Sequence, residues 1–234
     1  GGVVSFSTID SVIAAIEKMH TQKGLVVSGN QDLYRRVRKG IRREHKEKQA
    51  LKQAKALSLI DLSIVCRRLG KSLRDIRDRA ILTIAFFGAL RRSELVGLDV
   101  EHIEINEKGM GLKLLQTKTS DEAVSIYLAK AKDSSVCPIL ALQDWLKASG
   151  IASGAIFRSL HKGDKLSNKR LTGHAIAELM KQRFGKDYSG HSLRRGLITT
   201  GAEKGIAFPR LQRLARHAKA DTTLRYIELV EGFE

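Results

Sequence analysis

The stretch "SLRDIRDRAILTIAFFGAL", residues 72–90, restricts the possible folds more than any other. It begins with charged residues and then becomes apolar on every side, so a helix here has to bury its second half. Just before it, "SLIDLSIVCRRL" sets Ser58 against Asp61 in the pattern of a capping box and continues with helical apolar spacing. After "RRSELVGL" the apolar period changes from helical to two. "VEHIEI", "MGLKLLQTKT" and "AVSIYLA" read as three short strands, with "NEKG" as a hairpin turn. Helical pattern returns at "VCPILALQDWLKAS" and continues through "KRLTGHAIAELMKQRF", "SLRRGLITTGAEKG", "PRLQRLAR" and "DTTLRYIELV", punctuated by Gly, Pro and Asp. The expected fold is mainly α with a small three-stranded antiparallel sheet.

The first fifty residues have a different character. "STIDSVIAAIEKMH" places Ile9, Val12, Ile13 and Ile16 on one helical face. Two glycines interrupt it, and "NQDLYRRVRKGIRREHKEK" forms a second helix crowded with Arg35, Arg36, Arg38, Lys39, Arg42 and Arg43. A solvated surface helix is the ordinary explanation. Like charges at three- and four-residue spacing repel, however, so phosphate contact is the favoured reading. "KEKQALKQAKAL" is a polar connector. The expected boundary lies near residue 55, dividing the chain into segments 1–55 and 56–234.

Charge narrows the function. The chain carries 42 Lys and Arg against 25 Asp and Glu, a formal charge of +17, which makes nucleic acid the leading partner. Two cysteines without a Cys-x-x-Cys or Cys/His cluster argue against a disulfide framework or zinc site and suit a reducing cytosol. No apolar run approaches the roughly 20 residues that span a bilayer. No secretory leader pattern is evident at the N-terminus, so a cytoplasmic, nucleoid-associated location is expected.

Four motifs carry candidate chemistry. In "GALRRSEL", Glu94 lies three residues after Arg91, close enough on a helix to pair with it and orient a phosphate-gripping guanidinium; alone, this is an ordinary surface pair. In "QTKTS", Lys118 sits at a β-turn, where a lysine is usually just exposed but can also lend a proton to a leaving alkoxide. In "GHSLRRG", His191 and Arg194 share a helical face, a spacing common by chance. In "LARHAKADTTLRYIELV", His217 precedes Tyr226 by nine residues, and a tyrosine there is by default half-buried with its hydroxyl bonded.

In order, these residues are Arg, Lys, His-x-x-Arg, His and Tyr on a very basic chain. The set resembles the tyrosine recombinase (phage integrase) family over about residues 58–230, its whole catalytic domain. The resemblance implies that Arg91, Lys118, His191, Arg194, His217 and Tyr226 are catalytic, with Glu94 supporting Arg91 and Tyr226 as nucleophile. Arg92 and Arg195 would contact DNA. It implies a 3′-phosphotyrosyl intermediate, no cofactor and no metal; the sequence holds no DxD or DDE-like carboxylate cluster. It also implies double-stranded DNA as partner, a homo-oligomeric, tetrameric synapse, and a bacterial, phage or mobile-element origin. The family's core-binding domain usually has four or more helices, so residues 1–55 read as a partial one. A type IB topoisomerase-like enzyme and a non-catalytic DNA-binding protein of the same fold are the alternatives.

Overall fold

The computed structural model describes residues 6–25, 31–44, 54–115 and 123–216. The chain divides into two units, Gly1–Gln53 and Ala54–Glu234. The first holds α1 (Phe6–Gln22) and α2 (Gln31–Glu44). Arg38 Nε donates to Asp10 Oδ1 at 2.6 Å and ties α2 to α1. Among the described residues of this unit none is buried, and Ile9, Val12, Ile16 and Met19 stay exposed along α1.

The second unit contains α3 (Leu59–Arg68), α4 (Leu73–Phe87), α5 (Arg92–Val96), β1 (Ile103–Asn106), β2 (Gly109–Leu114), β3 (Val124–Ala129), α6 (Pro138–Ser149), β4 (Arg158–Leu160), β5 (Leu166–Arg170), α7 (Gly173–Phe184), α8 (Gly190–Glu203) and α9 (Phe208–Ala215). The hydroxyls of Ser58 and Ser72 accept from the amides of Asp61 (3.0 Å) and Asp75 (3.1 Å), so each caps its helix, the first as the sequence predicts. The apolar run forms α4, buried from Ala80 to Phe86, and α4 packs against both α6 and α8. Trp145, Phe86 and Phe157 are among the largest fully buried side chains of the core, and burying such a side chain contributes about 1.5–3 kcal/mol.

The three expected strands pair antiparallel in the order β1-β2-β3, with Ile103 opposite Leu112 and Leu114 opposite Val124. Asn106 Oδ1 accepts from the amides of Lys108 (3.0 Å) and Gly109 (3.1 Å), which shapes the "NEKG" turn. Residues 100–102, expected to begin the first strand, form a 3₁₀ turn instead. A second hairpin, β4–β5, was not expected. It turns through Gly163 and Asp164, both at positive φ (77° and 58°), and its last two residues, Lys169 and Arg170, replace the expected start of a helix. That helix begins at Gly173 with Thr172 as cap.

Two packing features set the position of α8. Leu57 N donates to the Ser192 carbonyl at 3.0 Å, and a Cβ on Gly196 would fall 1.9 Å from the Leu57 carbonyl oxygen. Only glycine permits this backbone approach. At the N-terminal end of α4, Asp78 accepts from Arg77 Nη2 (3.0 Å) and Arg183 Nη2 (2.7 Å), and Asp75 also accepts from Arg183 Nη2 (2.7 Å). This closed charge network joins α4 to α7.

Candidate active site

The opposite end of α4 builds the site. The helix closes with the Ala89 amide bonded to the Phe86 carbonyl and the Leu90 amide to the Ala85 carbonyl, both at 3.0 Å. Ala89 takes the left-handed conformation, φ 45°. This turn leaves the Gly88 and Ala89 carbonyls at the negative end of the helix dipole, where cations are favoured. Arg194 Nη1 donates to Ala89 at 2.8 Å. Arg216 donates to the same carbonyl from Nη2 at 2.9 Å and to Gly88 from Nη1 at 3.1 Å.

Glu94 is the acid of the cluster, and its side chain is 2% exposed. Its Oε1 accepts from Arg91 Nη1 at 2.6 Å, while Oε2 accepts from the Arg91 amide and from Arg216 Nη2, each at 2.8 Å. The expected Arg91–Glu94 pair therefore forms. It is more than a surface pair, because Arg91 both flanks the start of α5 and is clamped by it. Burial would raise the Glu94 pKa, but the Arg216 charge, the Arg91 amide and the Arg91 guanidinium outweigh it and hold the carboxyl below its ordinary value.

The second arginine arrives on α8. Ser189 caps that helix, accepting from the His191 amide at 3.2 Å, and its own amide donates to Ser192 Oγ at 3.0 Å. Arg194 is buried, and beside its bond to Ala89 its Nη2 donates to the Ala215 carbonyl. His191 lies at the helix N-terminus. The residue is exposed, and partial desolvation of its ring, followed by the charges of Arg92, Arg194, Arg91 and Arg195, lowers its pKa and disfavours the imidazolium. A neutral imidazole can accept a proton.

The structure thus brings together Arg91, Glu94, His191 and Arg194. Arg92 is exposed beside them, its stem so close to α8 that a Cβ on Gly190 would lie 2.3 Å from its Cγ. Arg195 requires a correction. It was expected to face phosphate, but it is buried and donates from Nη1 to the Ala54 carbonyl at 2.5 Å. The cause is the close approach of α8 to the chain at residues 54–57, which turns this side chain inward. On α2, Arg35, Arg36, Lys39 and Arg43 are exposed, Arg36 pairing with Asp32 at 3.2 Å, whereas Arg38 is engaged with Asp10. The Arg42 side chain, Lys118, His217 and Tyr226 lie outside the described residues. No group of three or more His, Cys, Asp or Glu side chains gathers among the described residues, and none of their helices is long and apolar enough to cross a membrane.

Arg216 is the residue that sequence reasoning missed. It sits in the left-handed region at φ 51°, which costs a non-glycine residue about 1–2 kcal/mol. Its carbonyl accepts from Arg91 Nη2 at 3.2 Å. Apart from the Leu214 carbonyl two positions back, the partners of its side chain lie more than a hundred positions away in the chain, so local pattern carries no sign of them.

Among the described residues, Arg91 and Arg216 flank the Glu94 carboxylate and Arg194 lies on the same turn, next to the N-terminus of a helix. Such a site suits a phosphate. The chain belongs to the phage integrase family, whose profile matches residues 29–231. The chain spans between about half and two thirds of the length of the relatives it matches. It is 28% identical over 232 residues to the integrase/recombinase XerD homolog of Selenomonas ruminantium, covering 95% of this chain and 68% of that protein. It is 30% identical over 156 residues to the tyrosine recombinase XerC of Pseudomonas entomophila (strain L48), covering 65% of this chain and 48% of that protein. Its fold resembles that of the XerH site-specific recombinase solved in a post-cleavage complex with a palindromic difH substrate. That match has a TM-score of 0.58 at 16% identity and covers 76% of this chain and 50% of that one.

Proposed function

We propose that this chain is a site-specific recombinase that cleaves and rejoins double-stranded DNA through a 3′-phosphotyrosyl intermediate on Tyr226. The observation that carries the reading is the convergence of Arg91 and Arg194, from two different helices, on the turn after α4, with one buried carboxylate holding the first. The family relationship supports the same reading.

In this mechanism Arg91 and Arg194 hold the non-bridging oxygens of the scissile phosphate and stabilise the charge that builds on them during attack. A tyrosine hydroxyl has an ordinary pKa of about 10, so it has to lose its proton as it attacks. His191, held neutral, or a water takes that proton. The Tyr226 oxygen bonds to phosphorus, the bond from phosphorus to the 5′ oxygen breaks, and Lys118 protonates the departing oxygen. His217 donates a further hydrogen bond to the phosphate. Attack by a 5′-hydroxyl from another strand reverses these steps and reseals the DNA. The phosphodiester energy is kept in the tyrosyl bond, so no nucleotide hydrolysis is required.

Residues 1–55 act as a partial core-binding segment, with Arg35, Arg36, Lys39, Arg42 and Arg43 toward the phosphate backbone, and residues 56–234 act as the catalytic domain. The protein works in the cytoplasm on the nucleoid or on a mobile element, and assembles as a homo-oligomer, a tetramer, on paired sites.

The test is a trapping experiment. A pool of duplexes with a randomised core, each nicked so that cleavage releases a short fragment, is incubated with the protein. A covalent adduct that survives denaturation is expected for the wild type and is absent for Tyr226→Phe. Sequencing the attached DNA gives the target site. Tight binding of the pool with no adduct in the wild type would overturn the reading.

A further inference from the structure

Three separate elements meet at Arg216. Its guanidinium, on a side chain only 11% exposed, is bonded to Glu94, Ala89 and Gly88, at the start of α5 and the end of α4, and to the Leu214 carbonyl of its own helix. Its backbone ends α9, and the two successive carbonyls there accept from the two site arginines: Ala215 from Arg194, and Arg216 from Arg91 at 3.2 Å. The side chain therefore pins a turn whose backbone in turn holds both guanidiniums.

We propose that Arg216 is a positioning residue for the phosphate site, fixing the turn at Ala215–Arg216 so that this turn fixes the orientations of Arg91 and Arg194. Two features argue against simpler roles. A glycine would adopt φ 51° without strain, so the turn by itself does not call for an arginine. Nor is the guanidinium presented to an incoming ligand, since its Nη atoms point to interior carbonyls and to a carboxylate that is itself buried. Glu94 is divided between the two cations, Oε1 to Arg91 and Oε2 to Arg216. Without Arg216 the carboxylate loses one of its two guanidinium partners, and Arg91 loses a fixed acceptor. The functional consequence rests on the proposed phosphate role of Arg91 and Arg194; the positioning itself does not.

The full chain, labelled with ¹⁵N-arginine, provides the test. The Nε–Hε resonances of Arg91 and Arg194 are assigned from their loss in R91K and R194K. In the wild type both are expected to exchange slowly with water, and both to shift saturably when orthovanadate is added as a phosphate probe. Arg216→Gly keeps the turn conformation accessible while removing the guanidinium. It is expected to broaden both resonances and to raise the vanadate midpoint about tenfold or more. Arg216→Lys should recover part of each effect. A lowered melting temperature with both resonances and the vanadate midpoint unchanged would overturn the proposal and leave Arg216 a packing residue. If Arg216→Gly does not fold, the same readouts on Arg216→Lys decide, an unshifted pair of resonances counting against it. A wild type whose arginine resonances are ordered but ignore vanadate would sink the phosphate reading while leaving the positioning claim to stand or fall on the exchange rates alone.

Discussion

Helix α4 carries an arginine cluster at each end, and the two are composed differently. At the N-terminal end, Arg77 and Arg183 meet Asp75 and Asp78, two cations against two anions. At the C-terminal end, Arg91 and Arg216 share one carboxylate, Glu94, while Arg194 donates to the Ala89 and Ala215 carbonyls. The first cluster satisfies itself and joins α4 to α7. The second gathers three guanidiniums near a single carboxylate among the described residues. Buried arginines are thus not evidence of a binding site in themselves. The informative quantity is how many anions the protein supplies for them, and a shortfall marks where an outside anion belongs.

The largest effect should come from breaking the balanced end. Asp78→Ala removes the anion shared by Arg77 and Arg183, and stability should fall by about 3–5 kcal/mol, as when one partner of a buried pair is lost. Chemical denaturation measures this. Changing Arg77 to Met together with Asp78 to Leu should recover most of the loss, because an apolar pair needs no counter-charge. At the unbalanced end the sign of the comparison reverses. Arg194→Ala relieves a crowded cation, so stability should change less than in Asp78→Ala. Adduct formation on the nicked duplex pool should instead fall about 10²–10³-fold, the cost of losing one fixed donor to a developing charge. A mutant that cleaves normally would remove Arg194 from the site.

The contrast between the two ends also marks what the sequence could reveal. Local features were legible. The all-round apolar run predicted a buried α4, the three-residue interval from Arg91 to Glu94 predicted their pairing, and the interval from His191 to Arg194 placed both on one helix. The β4–β5 hairpin was missed because "RSL" and "LSNKR" show no apolar alternation; its one signal was the Gly163-Asp164 pair, which suits a turn with two positive φ angles. Arg195 and Arg216 were beyond local reasoning. Whether adjacent arginines on α8 face phosphate or a distant carbonyl depends on how closely Gly196 lets that helix approach Leu57. The place of Arg216 depends on contacts to Gly88, Ala89 and Glu94 that no spacing rule connects to it.

Acid should separate the two ends by the smallest effect, and in a defined order. His191 belongs only to the C-terminal end, and although the residue is exposed its folded pKa lies below the ordinary 6.5, because partial desolvation of the ring and four arginine charges disfavour the imidazolium. The folded state therefore binds fewer protons at this site than the unfolded chain. The associated stability is fully present above pH 6.5 and is lost as the pH falls through the lowered pKa. Glu94 and Asp75 respond further down. Burial would raise each, but Arg216 and Arg91 outweigh it for Glu94, and the Ser72 hydroxyl and Arg183 outweigh it for Asp75, so both folded values are depressed. Their contributions are present above the ordinary carboxylate range and disappear only as the pH drops through the lowered values. A titration of the denaturation midpoint should show a shallow decline beginning just below pH 6.5 that His191→Asn abolishes, followed by a steeper one below about pH 4.5 that this substitution leaves intact. If the shallow decline survives in His191→Asn, the excess charge at the C-terminal end of α4 is not what holds this ring neutral, and the distinction between the two clusters loses its electrostatic basis.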